Sequence, residues 1–231
     1  MPQNPETIGQ DSLSTETSDA VRAIAVTAMD AAATNAEEER HPDPIGPAFP
    51  RSGMNLDVER AALVVIDPQV AFLSPKCGSS GPNANERRTI QNLARLLKAS
   101  KHAGIAVAIS LTCPRGLRSD FMPDLEQYIE DGSTITCSPH AMYKQLWVND
   151  LGLRLRKQRI GQIIVAGMIV SLRIESHLRD FIEQGFEVAL VRDAIAGSKL
   201  PEGVGYLSAL VNFRCIVNAL WTTEETIKRL G

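Results

Sequence analysis

The sequence predicts an α/β fold: a doubly wound, three-layer α/β/α sandwich around a mainly parallel sheet of about six strands. Three observations lead there. Segments of strand length, AALVVID (61–67), IAVAISL (105–111), QIIVAG (162–167) and FEVALV (186–191), are apolar almost throughout rather than alternating. Strands covered on both faces read that way. Between them lie segments whose apolar residues recur at helical spacing. Strand and helix therefore alternate, and right-handed crossovers then put helices on both faces of one parallel sheet.

Each element follows from its own residues. After the first strand, ERRTIQNLARLLKASKHAG (86–104) has apolar residues at 90, 93, 94, 96 and 97 and ends in His102 and Gly104. That is a helix with a basic, glycine-terminated end. The second strand is 105–111. DLEQYIE (124–130) predicts a short helix and STITC (133–137) a short strand. Residues 146–160, with leucines at 146, 151, 153 and 155, predict a helix. A strand at 162–167, a helix at 171–184, a strand at 186–191 and a helix at 203–217 follow. ALW (219–221) predicts a short last strand. The C-terminal helix after it is capped by Thr222 or Thr223, with Glu225 placed for a capping box.

The chain ahead of this pattern reads differently. Residues 1–53 form an extension and linker, and 54–231 the folded domain. Residues 1–20 are polar and predict disorder. Residues 19–38 are alanine-rich and predict a weakly docked helix. HPDPIGPAFPRSG (41–53) has the prolines and glycines of a linker. The extension is acidic: residues 1–60 hold four Lys/Arg and eleven Asp/Glu, net −7, against +4 for the rest of the 231-residue chain. Hydrophobic residues make up 44% and charged residues 22%, in the ordinary range of a globular protein. No apolar run reaches the roughly 18 residues of a membrane span, and no signal peptide is predicted. No basic stripe interleaved with aromatics points to nucleic acid. Cys77, Cys113, Cys137 and Cys215 lie far apart without metal-ligand spacing, so reduced thiols and a cytoplasmic protein are expected.

Ligands of open α/β sheets bind beyond the carboxyl ends of the strands. Asp67 ends the first strand, although an Asp before Pro68 also suits a turn. His140 and Ala141 follow the third strand, although a lone histidine there is more often structural or on the surface. Arg173 stands at the start of the helix after the fourth. No phosphate-binding glycine motif follows the first strand, and no carboxylate or histidine pair has metal spacing. Neither cofactor nor metal is therefore expected.

Together, ALVVIDPQVAFLSP, YIEDGSTITCSPH, NDLGLRLRKQRIGQIIVAGM, ESHLRDFIEQGFEVALVRDAIAG and the stretch from GYLSALVNFR to ALWTTEE resemble the isochorismatase-like cysteine hydrolase family, over about residues 56–230. That family includes nicotinamidases, other amidases and isochorismatases. The resemblance implies the same Rossmann-like sheet, a homodimer or homotetramer, and a small carboxylate or amide as ligand. The family's hydrolases carry an Asp–Lys–Cys triad. Asp67 matches the Asp. Ala141 matches the Lys, or His140 with a one-residue shift. Arg173, in GMIVSLRIES, holds the Cys position. Candidate binding residues are Phe72, His140, Ile169, Val170 and Arg173. The resemblance also implies a cis peptide at Ile169–Val170, which would cost about 3–4 kcal/mol in a non-proline bond.

A thiolate can attack a carbonyl; a guanidinium, protonated at any relevant pH, cannot. Three readings remain. In the first, the family fold persists without thiol amidase chemistry, and Arg173 pairs with Asp67 or anchors a small carboxylate. In the second, Asp67 acts as general acid in a cysteine-independent vinyl ether hydrolysis of the isochorismatase type. An adjacent guanidinium opposes this, because it favours the carboxylate over the acid. In the third, the chain is a structural partner in an assembly with an active paralogue.

Overall fold

The computed structural model describes residues 53–73, 84–112, 120–137, 150–197, 199–200 and 203–231. The predicted extension, the Lys-position candidates His140 and Ala141, and the start of the helix expected at 146 lie outside the described residues. The described residues from Gly53 on, Gly203 apart, belong to one compact unit.

Six strands form one parallel sheet. They are β1 (Ala61–Ile66), β2 (Ala106–Ser110), β3 (Ile135–Thr136), β4 (Gln162–Gly167), β5 (Glu187–Ile195) and β6 (Ala219–Trp221). Their spatial order is β3-β2-β1-β4-β5-β6. The helices are α1 (Ala84–His102), α2 (Pro123–Ile129), α3 (Leu151–Lys157), α4 (Glu175–Glu183), α5 (Gly205–Phe213) and α6 (Thr223–Leu230). The apolar runs of β1 and β4 are buried at every position, as expected of strands with a layer on each side.

Two cores cover the sheet. On one face Leu63, Val65 and Ile109 meet Leu93, Leu96 and Leu97 of α1, Leu125 of α2 and Leu230 of α6. On the other, Val64, Ile66 and Val165 meet Leu155 of α3, Phe181 of α4 and Phe213 of α5. No helix among the described residues is long and apolar enough to cross a membrane.

Three details differ from the sequence expectation. β5 runs on to Ile195, because the polar Arg192 and Asp193 hid its continuation. The helix expected at 171 opens instead as a wide π-turn, Val170–Ile174, before α4. Among the described residues no peptide bond is cis, so the cis Ile169–Val170 bond is absent. Ile169 instead takes the left-handed conformation, φ 58° and ψ 61°. There its carbonyl accepts from the backbone N–H groups of Leu172, Arg173 and Ile174. The chain reverses through a strained residue rather than a strained bond.

Candidate functional site

The strand order places a topological switch between β1 and β4. From β1 the chain moves outward through β2 and β3, then returns to the other side of β1. A crevice opens where neighbouring connections depart to opposite faces, and ligands of such sheets bind there. Register sharpens this: Ile66 pairs with both Ser110 and Gly167. The carboxyl ends of the three central strands therefore lie at one height. Asp67 leaves β1 at that height, and the π-turn bearing Arg173 begins three residues after β4.

Asp67 is fully buried. Its φ of 52° turns the chain, a conformation Asp tolerates better than most residues. Its backbone N–H donates to the Ser110 carbonyl at 2.9 Å. Its Oδ1 accepts from the Thr112 backbone N–H at 2.7 Å and the Thr112 hydroxyl at 2.8 Å. Arg173 Nη1 donates to Oδ2 at 3.2 Å. These donors suit an ionised carboxylate.

Arg173 keeps 13% of its side chain exposed. Its guanidinium carbon lies 4.3 Å from the centre of the Phe72 ring, close enough for a cation–π contact. Nε is buried, and among the described residues neither Nε nor Nη2 has a hydrogen-bond partner. Those two nitrogens form the side-on donor pair of a guanidinium, the edge that takes a carboxylate in two parallel hydrogen bonds. Asp67 thus holds one corner of the arginine while the bidentate edge is unused by the described protein groups.

Behind Arg173 lies a second buried polar group. His177, fully buried on α4, has Nδ1 2.7 Å from the Arg173 carbonyl oxygen and Nε2 2.8 Å from Ser110 Oγ. A carbonyl only accepts, so the proton sits on Nδ1.

The structure thus brings Asp67, Arg173 and Phe72 together, with Ile169 and Val170 in the turn behind them. Thr112, Ser110 and His177 were not anticipated. Helical spacing could have found His177, one turn beyond Arg173 on the same face. Ser110 ends an apolar strand level with Asp67. Thr112 offers no sequence signal. No group of three or more His, Cys, Asp or Glu side chains among the described residues is placed to hold a metal ion. A separate groove of about 320 Å³ lies beside β6, lined by Met54, Arg192, Asn218, Trp221 and Arg229 among others. It shares no residue with the crevice.

A sequence model of the isochorismatase domain matches residues 61–224. The chain belongs to the isochorismatase family. No curated protein matches it, whereas many solved structures share its fold. One is a cysteine hydrolase from Pseudomonas syringae pv. phaseolicola 1448A, at 19% identity and a TM-score of 0.69, covering 79% of this chain and 98% of that one. A second is an isochorismatase from Pseudomonas putida KT2440, at 20% identity and a TM-score of 0.63, covering 74% and 92%. A third is N-carbamoylsarcosine amidase from Thermoplasma acidophilum, at 13% identity and a TM-score of 0.57, covering 72% and 98%. At these identities the likeness concerns the isochorismatase-like fold.

Proposed function

We propose that this isochorismatase-family chain binds a small carboxylate at the β1–β4 switch point and performs no thiol-based amide hydrolysis there. One observation carries the reading. Where family resemblance puts a nucleophilic cysteine, Arg173 stands paired to Asp67 with Nε buried and its Nε–Nη2 edge unpartnered by described residues. The desolvated Nε–H of that edge gains more from an anion than the same group in water would. The Thr112 and Arg173 donors on Asp67 oppose its use as a general acid, because protonating it would break the ion pair. The resemblance further suggests a homodimer or homotetramer, which sedimentation velocity would test.

The test is a thermal-shift titration of the full chain with benzoate, pyruvate and inorganic phosphate. At a hundredfold excess over Kd, a ligand specific to the native state adds about 2.7 kcal/mol of stability. A carboxylate should raise the midpoint, and Arg173→Lys, which offers a point charge without a fork, should abolish the rise. No shift with any anion would remove the reading. In parallel, turnover of isochorismate that disappears in Asp67→Asn would replace it with the vinyl ether chemistry. Slow amide hydrolysis acquired by Arg173→Cys combined with Ala141→Lys, and absent from the natural chain, would support the loss of thiol chemistry.

A further inference from the structure

We infer that His177 is a positioning residue for this anion site, a strut that fixes Arg173 without touching the ligand. The inference rests on the proposed carboxylate site and concerns what holds its arginine. Four hydrogen bonds close into a ring. The Asp67 backbone N–H donates to the Ser110 carbonyl. Ser110 Oγ meets His177 Nε2. His177 Nδ1–H donates to the Arg173 carbonyl. Arg173 Nη1 donates back to Asp67 Oδ2. Ser110 is thus a common anchor. Its main chain locates Asp67, and its side chain, through the imidazole, locates the main chain of Arg173.

The ring matters because of the turn that carries Arg173. A π-turn is wider than an α-turn and its hydrogen bonds are less regular. Here three N–H groups crowd the single carbonyl of Ile169, at 3.3, 3.0 and 3.4 Å. Backbone bonding alone defines the Arg173 position weakly. A donor from the following α-helical turn, its buried ring edge-on to Phe181, supplies the missing restraint. Ser110 and His177 are both fully buried, and a buried polar group without a partner is costly. The imidazole therefore has few alternative placements. In the neutral ring, Nδ1–H on the carbonyl makes Nε2 an acceptor and Ser110 the donor. The two ring nitrogens have separate tasks, so two amide substitutions separate them. Asn places its NH₂ near the Nδ1 position, one helical turn from the Arg173 carbonyl. Gln places its amide near the Nε2 position, toward Ser110.

The test compares the full natural chain with His177→Asn, His177→Gln and Ser110→Ala, by two readouts. The first needs no ligand. It is the ¹⁵N–¹H spectrum of the Arg173 guanidinium, assigned by its loss in Arg173→Lys. A guanidinium held by Asp67 shows separate Nη resonances, and a freely turning one shows them merged. The natural chain and His177→Asn should keep them separate, and His177→Gln should merge them. The second is benzoate affinity. It should fall about five- to tenfold in His177→Gln, the scale of one lost hydrogen bond, and stay within about twofold in His177→Asn. A purely structural histidine would instead lower the thermal midpoint alike in both amide variants, with resonances and affinity following stability. That result, or separate resonances in His177→Gln, overturns the inference. If the resonances behave as expected while no carboxylate binds the natural chain, the strut stands and the carboxylate reading falls. Ser110→Ala should lie between the two amide variants in both readouts.

Discussion

Asp67 has no exposed surface and Arg173 keeps 13% of its side chain exposed, so neither charge can lose its partner without being stranded. Removing one member of a buried pair costs about 3–5 kcal/mol, because the remaining charge keeps its desolvation penalty. Asp67→Ala should therefore lower unfolding free energy by that amount in urea titrations. It also leaves both Thr112 donors facing Asp67 without their acceptor. Asp67→Asn combined with Arg173→Met keeps an acceptor for Thr112 and removes both charges. Its cost should fall short of the sum of the single changes by about 1–3 kcal/mol, the coupling expected of residues in contact. An additive result would mean that the 3.2 Å ion pair contributes nothing measurable. This pair was legible in the sequence, because both residues sit where strands end beside the switch point. Thr112 was not, because its role depends on tertiary placement after β2.

At the scale of elements, caps and loop clamps decide stability locally. α6 opens on a full capping box. The Thr222 hydroxyl accepts from the Glu225 backbone N–H at 3.1 Å, and Glu225 returns a carboxylate oxygen to the Thr222 N–H at 2.8 Å. Thr222→Ala should cost about 1 kcal/mol, read by urea titration. The loop between α2 and β3 is clamped to the end of α1 through Asp131. Its carboxyl is held far below the usual carboxylate range, first by the hydrogen bond from Lys101; burial opposes this, and bonds from the Ser133 backbone and hydroxyl and the Lys101 charge lower it further. A lowered folded-state pKa stabilises above the unfolded value of about 3.9, and that contribution fades as pH falls further. Asp131→Asn should therefore be less stable than the natural chain at pH 6, by no more than about 1 kcal/mol for so accessible a pair. The gap should narrow below pH 4, and a gap constant with pH would exclude the linkage. The elements that sequence placed well are those with one dominant signal, such as the apolar runs of β1 and β4 or the cap at Thr222. The misplaced boundaries are those where signals conflict. In β5, Arg192 and Asp193 interrupt the apolar run although the strand continues. Before α4, helical spacing is present from Ser171, but the chain must first turn through left-handed Ile169, and one turn is too short for apolar spacing to separate a π-turn from an α-turn.

The whole molecule depends on how closely β1 and β4 approach, because this central pair is shared by both cores and flanks the crevice. Gly167 sets that approach. Its φ is 137°, and a Cβ there would lie 2.2 Å from the Ile66 carbonyl oxygen and 2.7 Å from the Ile66 nitrogen. Both are backbone atoms that cannot rotate away, and β1 is hydrogen-bonded on its other side to β2. Relief must come from separating the central strands or bending β4, and either disturbs Leu63 and Val65 on one face and Ile66 and Val165 on the other. Gly167→Ala should thus cost at least about 3–5 kcal/mol, at the upper end for a single substitution. The loss should be global rather than local. Amides of β1 and β4 would lose hydrogen-exchange protection together with those of α1 and α4, in one cooperative unit. Fraying restricted to the π-turn and α4, with α1 still protected, would show instead that the two faces of the sheet unfold independently. In that case the crevice would be maintained by the layer that carries Arg173 and His177 alone.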